Sequence, residues 1–473
     1  VNGPGEAAWR QAVERLLKGA GPESLRATTA EGITIEPLYR RAVGAVPLAR
    51  RQPGPWRVVA RVDNPDAEAA NAQVHDDLLN GADALSLVFE GGLAAKGIGV
   101  RAETADDLEH ILAGVDLELI HLRLDSKPFG RKRAALLAEV VKRRRLDPAR
   151  LDIDIALDGI GVTASHGTML HPWAELAPWL GAAAREFHDL GFSGPLFLAD
   201  GRIWHEAGAN AAQELGLLLS NAVACWRLLE AAGIGAEEGR RRLSFLAVVD
   251  QDQLISTAKL RALRRLWAGV EAAAGLAPEP IRLHAETSWR MLTTQDTHNN
   301  LVRNTIAAFA AGVGGADTLA VLPFTSAHGL PDPLARRLAR NTSLVLMEEG
   351  FLARVQDPAA GAGALEALTA ELAAAAWAEF RRIEGWADAG LPGILAGLRD
   401  GRLQAMLAEA RTARQQALAE KREIITGVTS YPPTAAVPIT VLEPTAFHGR
   451  APGAAGASFC EPLPSVRLEE LAG

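Results

Sequence analysis

Tyrosine is scarce in this sequence. Its 473 residues hold ten Trp and twelve Phe but only two Tyr, Tyr39 and Tyr431, so chemistry that needs a buried phenol has two places to find one. Cysteine is equally scarce. Cys225 and Cys460 lie far apart, which excludes a disulfide framework or an all-cysteine zinc site and makes a reducing compartment, the cytoplasm, the expectation. The 11 His show no H-x-x-x-H or H-E-x-x-H spacing, so no helix face is set up to hold a metal with two of them. No apolar run approaches the ~20 residues of a membrane helix, and the polar start, with Gly3 and Pro4, lacks the apolar centre of a signal peptide. A net charge of -8 argues against a nucleic acid or an anionic membrane as the partner of the whole surface. There is no G-x-S-x-G elbow. Gly312-Val313-Gly314-Gly315 precedes a strand instead of following one and has no Lys-Ser/Thr after it, so it reads as a turn and not as a phosphate loop.

What is present is an alternation of short β-like and longer helical runs. Strands are expected over 84–89, 97–102, 119–124, 151–157, 195–200, 243–249, 281–286 and 318–323, most of them rich in Leu, Ile or Val as strands beneath helices should be. Helices are expected between most of them, at 67–80, 105–113, 131–144, 176–190, 211–231, 255–274 and 299–311. Eight β/α units over about 260 residues indicate an α/β (β/α)8 TIM barrel, with an open doubly wound sheet as the alternative. Residues 1–55 read as an N-terminal helix and extended arm, 56–332 as the barrel, 333–426 as a helical extension and 427–473 as an extended tail or linker rich in Pro and Gly. Strands such as Leu196-Phe197-Leu198 and Phe245-Leu246-Ala247-Val248-Val249 are apolar at both alternations, which predicts a filled barrel interior.

Active sites of such barrels gather at the C-terminal ends of the strands. His205-Glu206 and His284-x-Glu286 are placed at or just beyond such ends, either as chemical groups or as rim residues bonded to neighbouring loops. Asp152 and Asp154 share one side of their strand. Facing inward they would need partners such as Arg123, as a polar layer or an end cap.

From Arg282 onward the chain carries longer motifs: Arg282-Leu283-His284-Ala285-Glu286-Thr287-Ser288, Leu292-Thr293-Thr294-Gln295-Asp296, Asn299-Asn300-Leu301-Val302-Arg303, Ala339-Arg340-Asn341-Thr342 and Arg354-Val355-Gln356-Asp357-Pro358. With Glu206-Ala207-Gly208-Ala209, Ala258-Lys259-Leu260-Arg261-Ala262 and Pro55-Trp56 upstream, the chain resembles the adenosylcobalamin-dependent methylmalonyl-CoA mutase family over nearly its whole length. The resemblance implies a barrel that takes acyl-CoA along its axis and a separate flavodoxin-like cobalamin domain marked by D-x-H-x-x-G. That motif occurs nowhere in the sequence, so either the protein lacks the domain or the chain is a piece of a longer one. In catalytic relatives the fifth strand is followed by Ser-Gly-Tyr-His-Met-Gln-Glu-Ala-Gly. Here Arg202 stands at the Tyr position and Ile203 at the catalytic His position, and Ile donates no hydrogen bond to a migrating thioester carbonyl. Arg51 aligns with the substrate-side Tyr, and Val313-Gly314-Gly315-Ala316-Asp317 replaces Gln-Gly-His-Thr-Gln. His205, Glu206, Arg282, His284, Glu286 and Glu349 remain as candidates around the barrel. The resemblance is to the non-catalytic small subunit of a heterodimeric mutase. It implies no cofactor on this chain, adenosylcobalamin on a homologous large catalytic subunit, and methylmalonyl-CoA/succinyl-CoA isomerisation by that partner. The alternative is an acyl-CoA barrel that works with a separately encoded cobalamin-binding subunit.

Overall fold

Eight parallel strands form a nearly continuous cylinder in the computed structural model, which describes residues 5–169, 171–435, 437–444 and 457–472. They are β1 (Arg57–Val62), β2 (Ala84–Val88), β3 (His121–Asp125), β4 (Asp152–Asp154), β5 (Phe197–Asp200), β6 (Leu243–Val249), β7 (Leu283–Thr287) and β8 (Thr318–Ala320). Hydrogen bonds run from β4 through β3, β2, β1, β8, β7 and β6 to β5. A parallel bridge between Leu157 and Phe197 joins the two ends, so the sheet closes as the α/β TIM barrel expected.

Eight helices follow the strands and cover them: α1 (Ala67–Leu79), α2 (Ala105–Ile111), α3 (Gly130–Arg143), α4 (Trp173–Asp189), α5 (Ala211–Ala231), α6 (Gln253–Ala273), α7 (Asn299–Gly314) and α8 (Pro333–Leu344). Local chemistry sets their starts. Asp66, Thr104, Asn210, Asp252 and Asp332 each accept a hydrogen bond from a first-turn backbone N–H, satisfying donors that the helix itself leaves open. Gly315, left-handed at φ 84°, ends α7. The Gly-rich tract is thus the turn into β8, while Gly312 and Gly314 inside the helix let Trp56 and Leu260 approach its backbone.

Two strand assignments need correction. β1 is a barrel strand that the sequence reading omits, because Arg57 and Arg61 interrupt its apolar run. They fall on the same alternation as Val59, whereas Val58, Ala60 and Val62 pack under the helices. Residues 97–102 are not a strand. Lys96 and Gly97 both take left-handed conformations, and only Val100 bridges to Phe89 within the loop after β2.

A third layer lies outside the barrel. α9 (Gly363–Glu384) packs over α5 and α6, α10 (Gly393–Arg399) reaches α5, and α11 (Arg402–Ala419) packs on α10. The N-terminal helix Glu6–Leu16 buries none of its residues. The arm behind it is irregular apart from a small hairpin, and is tied to the body through Leu48 N–H on Asp357 and Ala42 N–H on Gly361. Among the described residues no helix is long and apolar enough to cross a membrane. The tail is less loose than its composition suggests. Val441–Pro444 pairs with Gly329–Pro331, and Ala457–Ser458 pairs with Thr168–Met169.

Candidate functional site

The barrel interior is filled, but mostly by charge. Leu198, Leu246, Val248 and Ala156 form one small apolar cluster and Val59, Ala84 and Ala320 another. The remaining inward positions carry ionic and hydrogen-bonded side chains. The expected apolar filling is present in part, at Leu198, Leu246 and Val248; most of the large apolar residues sit on the outward alternation, under the helices.

At the N-terminal end, Asp152 of β4 pairs with Arg282, just before β7, and lies 3.4 Å from His121 Nδ1 and 3.7 Å from Arg57. Burial alone would raise the Asp152 pKa. The cationic and hydrogen-bonding neighbours overrule it and hold the carboxyl far below its usual range. Asp152 and Asp154 thus face inward as a polar layer, with partners other than Arg123.

Above this lies His284, stacked on His121 at 5.3 Å. Its Nε2–H donates to Asp154 (3.0 Å) and its Nδ1 accepts from the Thr318 hydroxyl (2.7 Å). Ser244 donates to the same Asp154 oxygen at 2.6 Å. Burial pushes His284 down to about 4, against the pull of Asp154, so at neutral pH the ring is uncharged and both nitrogens are engaged. The sequence reading puts His284 and Arg282 at the barrel rim. The structure puts Arg282 at the opposite end and His284 inside the barrel.

This geometry gives a signed pH dependence. Between pH 6.5 and about 4 the unfolded chain binds a proton that folded His284 refuses, so stability falls as pH falls, by about 1.4 kcal/mol per unit and roughly 3 kcal/mol over the window. Burial lowers His205 as well and adds the same sign. Burial pushes Asp252 up to about 6 and contributes the opposite sign. The difference between wild type and His284→Gln, measured by urea unfolding at pH 7.5 and pH 5, isolates the His284 part. We expect a weaker acid sensitivity in the variant, and equal slopes would contradict it.

The C-terminal half of the axis is occupied by Arg202. Its guanidinium forks onto Asp200 (Nη2 to Oδ2 2.7 Å, Nε to Oδ1 3.0 Å), donates to Asp125 (2.6 Å) and reaches Glu286 (3.3 Å). Arg123 approaches Glu286 from the other side at 3.5 Å, and Lys127 joins Asp200 (2.5 Å) to Asp158 (3.1 Å). Burial would lower the Arg202 pKa, but the three carboxylates raise it well above its ordinary value. Bidentate, charge-assisted bonds of this kind fix the side chain in place. Ile203, next in sequence, is buried against Gly161, whose missing Cβ makes the room.

His205 and Glu206 end the same short helix, Arg202–Glu206. His205 is enclosed: Nδ1–H donates to Glu214 (3.1 Å) and Nε2 accepts from the Ser288 hydroxyl (2.8 Å), with Lys259 also on Glu214 at 2.7 Å. Glu206 accepts from Lys96 and from the Ser465 hydroxyl, both at 2.5 Å. Glu349 does not belong to this region. It is exposed on the turn that follows α8. That turn lies at the other end of the barrel, where Leu344 packs on Gly81 before β2.

At the mouth, beside a cavity of about 70 Å³ against Lys127, Ala156 and Asp158, the space next to Glu286 is a cavity of about 30 Å³ bordered by Arg61, Lys96, Glu206, Glu286 and Trp289. That is room for a water or two and not for an acyl chain. A larger cavity, about 290 Å³, lies at the N-terminal end and is lined by Arg51, Arg240, Arg241, Arg282, Phe245 and Trp267. Phe245 belongs to the outward alternation and Trp267 to α6, so this cavity runs beneath the wall and does not continue up the axis. Among the described residues no group of three or more His, Cys, Asp or Glu is arranged to hold a metal. Sequence reasoning singled out Arg202, His205, Glu206 and Glu286 but missed Asp125, Asp200, Lys127, Glu214 and Lys96. These are the partners that decide what the first four can do.

A family profile described as methylmalonyl-CoA mutase matches residues 36–450. The methylmalonyl-CoA mutase small subunit of Streptomyces virginiae is 37% identical over 90% of this chain and 70% of its own length. The small subunit from Propionibacterium freudenreichii subsp. shermanii is 30% identical over 90% of this chain and 68% of its own. The methylmalonyl-CoA mutase of Escherichia coli is 27% identical over 89% and 63%. The profile spans the latter part of the arm, the closed barrel and the helical layer, and the motifs around β5 and β7 lie within it: the chain belongs to the methylmalonyl-CoA mutase family.

Proposed function

We propose that this chain is the non-catalytic small subunit of a heterodimeric adenosylcobalamin-dependent methylmalonyl-CoA mutase, with the isomerisation of methylmalonyl-CoA and succinyl-CoA carried by a homologous large subunit. The observation that carries the reading is Arg202. Its ion pairs with Asp125, Asp200 and Glu286 occupy the axis where an acyl thioester would have to lie, and the neighbouring position for a proton donor holds Ile203. Relatives named small subunit support the same role.

Cobalamin does not fit the histidines of the barrel mouth and interior. Both nitrogens of His205 and of His284 are spent on Glu214, Ser288, Asp154 and Thr318, so neither ring offers a ligand. The cofactor is assigned to the partner. The purified chain should therefore show no cobalamin absorbance after incubation with adenosylcobalamin and no mutase turnover. Co-expression with a homologous large chain should give a stable 1:1 complex that turns over. Turnover by the isolated chain would overturn the proposal.

A second reading is an acyl-CoA barrel that works with a separately encoded cobalamin subunit. The observation for it is the 290 Å³ cavity, where Arg51, Arg240, Arg241 and Arg282 stand with Glu271 and Glu279; the phosphates of a CoA-type ligand would compete there with carboxylates already paired to Arg240 and Arg241. Saturable acyl-CoA binding by the isolated chain, together with turnover when a cobalamin subunit alone is added, would select this reading. Introducing Ile203→His should not restore turnover while Arg202 fills the axis.

A further inference from the structure

The mouth of the barrel is covered by the chain's own C-terminal segment. Residues 457–471 cross from the loop after β4 to the loop after β7. Phe459 and Cys460 donate to Gly167 O (2.9 and 3.1 Å), Leu463 to Ala164 O (2.8 Å), Val466 to Glu206 O (3.2 Å) and Leu468 to Arg290 O (2.8 Å). Glu469 accepts from the backbone N–H groups of Thr294 (2.8 Å) and Gln295 (3.4 Å) and from the Thr294 hydroxyl (2.9 Å). The approach is close. A Cβ on Gly167, itself left-handed at φ 73°, would sit 2.6 Å from Cys460 O.

At the middle of this crossing lies a buried three-membered contact. Ser465 donates to Glu206, Lys96 donates to the same carboxylate oxygen, and Lys96 Nζ lies 3.2 Å from Ser465 Oγ. Lys96 comes from the loop after β2, Glu206 from the helix after β5 and Ser465 from the crossing segment, so one contact ties three parts of the mouth together. Lys96 and Glu206 also border the 30 Å³ cavity above Glu286. Leu463 and Leu468 are buried on either side. A charge pair at this depth is costly to separate; the rest of the segment is held by backbone bonds, by Glu469 on Thr294 and by Leu468 against Leu418 and Ile425.

We propose that residues 457–471 are a strap over the barrel mouth, latched by Lys96, Glu206 and Ser465, which opens as a unit without unfolding the barrel and whose opening exposes the Arg202–Glu286 network. The strap occupies the face on which barrel enzymes receive ligands and docking domains. Any partner that engages this face must displace it. The inference holds whether or not the chain is a mutase small subunit, since it rests on contacts within the chain.

The two cysteines provide the test. Cys460 rides on the strap with its thiol 3.7 Å from Thr163 O, and Cys225 is buried in α5 beneath the third layer. Labelling of the full chain with a maleimide, followed by mass spectrometry, reports strap opening at Cys460 and global unfolding at Cys225. In wild type, Cys460 should react at least ten-fold more slowly than a free peptide thiol, and Cys225 more slowly again. Ser465→Ala, which removes one hydroxyl, and Lys96→Met should speed Cys460 labelling ten-fold or more with Cys225 unchanged. If a variant fails to fold, wild type in low urea gives the same reading: Cys460 should lose protection at concentrations where Cys225 keeps it. The proposal is overturned if wild-type Cys460 reacts like a free thiol, if neither change affects it, or if both cysteines always accelerate together.

Discussion

Replacing Arg202 with methionine should cost about 3–5 kcal/mol of unfolding free energy, the range for removing one partner of a buried ion pair. The side chain is 5% exposed, and three carboxylates converge on it: Asp200, Asp125 and Glu286. Arg123 and Lys127 would remain, against Asp125, Asp158, Asp200 and Glu286, all of them buried. Against a typical total of 5–15 kcal/mol that loss is large. Guanidinium chloride unfolding followed by tryptophan fluorescence should show a lower midpoint at unchanged m-value. Arg202→Lys should recover only part, since an ammonium cannot fork onto Asp200 while also reaching Asp125. Arg202→Tyr, which installs the residue of catalytic relatives, should be as damaging as the methionine. A phenol leaves the carboxylates uncompensated, so the plug cannot be reverted at one position. A midpoint within experimental error of wild type for Arg202→Met would mean that the network is solvated and that the axis is not filled as described.

Glu214→Ala should be as severe, again about 3–5 kcal/mol. Glu214 has no solvent exposure, and its carboxylate takes hydrogen bonds from His205 Nδ1, Lys259 Nζ and the backbone N–H of Val248 at 3.1, 2.7 and 3.0 Å. Alanine leaves an ammonium and two N–H donors buried without an acceptor. Glu214→Gln keeps one acceptor oxygen and should cost about half as much, the remainder being the uncompensated Lys259. A double-mutant cycle with Lys259→Met separates the two contributions: if the ammonium is the main liability, the second substitution recovers stability that the first removed. No recovery would assign the loss to His205 and Val248 instead.

These two networks also mark where the sequence stops being legible. Local information was sufficient for α5, whose limits at 211 and 231 follow from Asn210 as its cap and from Gly233, left-handed at φ 81°, just past its end. It was sufficient for β6, where seven consecutive apolar or small residues span 243–249. It failed at β1, because two inward arginines make a barrel strand look like a surface segment. It failed again at 97–102, because Gly-Ile-Gly-Val alternates like a strand while the backbone at Lys96 and Gly97 turns away. The departures at Arg202 and Ile203 were visible once the resemblance to the mutase family was recognised. What fills the axis was not, since the partners of Arg202 stand 77 and 84 residues away and only barrel closure brings them together. The same limit applies to Ser465. A Pro-rich tail reads as a linker, and nothing in its composition announces a hydroxyl bound 259 residues back on Glu206.

The layering around α5 has a consequence for how the molecule comes apart. Seventeen of its 21 residues are buried, and Gly216 lets the backbone of α9 approach so closely that a Cβ there would lie 3.0 Å from Phe380 N. Ser220 and Arg227 of α5 are bound to Glu384 at the end of α9, and Arg261 of α6 is bound to Asp357 and Glu366. A barrel helix ordinarily has an outside, which lets it fray while the wall persists. This one has little: Arg227 and the last residues, Glu230 and Ala231, reach solvent, and the rest is enclosed. The enclosed amides meet solvent once the outer layer has left, and that layer leaves by giving up the ion pairs that anchor it to the wall. Barrel and helical layer should therefore melt in one transition, with amide exchange along the enclosed part of α5 following the stability of the whole assembly instead of a local opening.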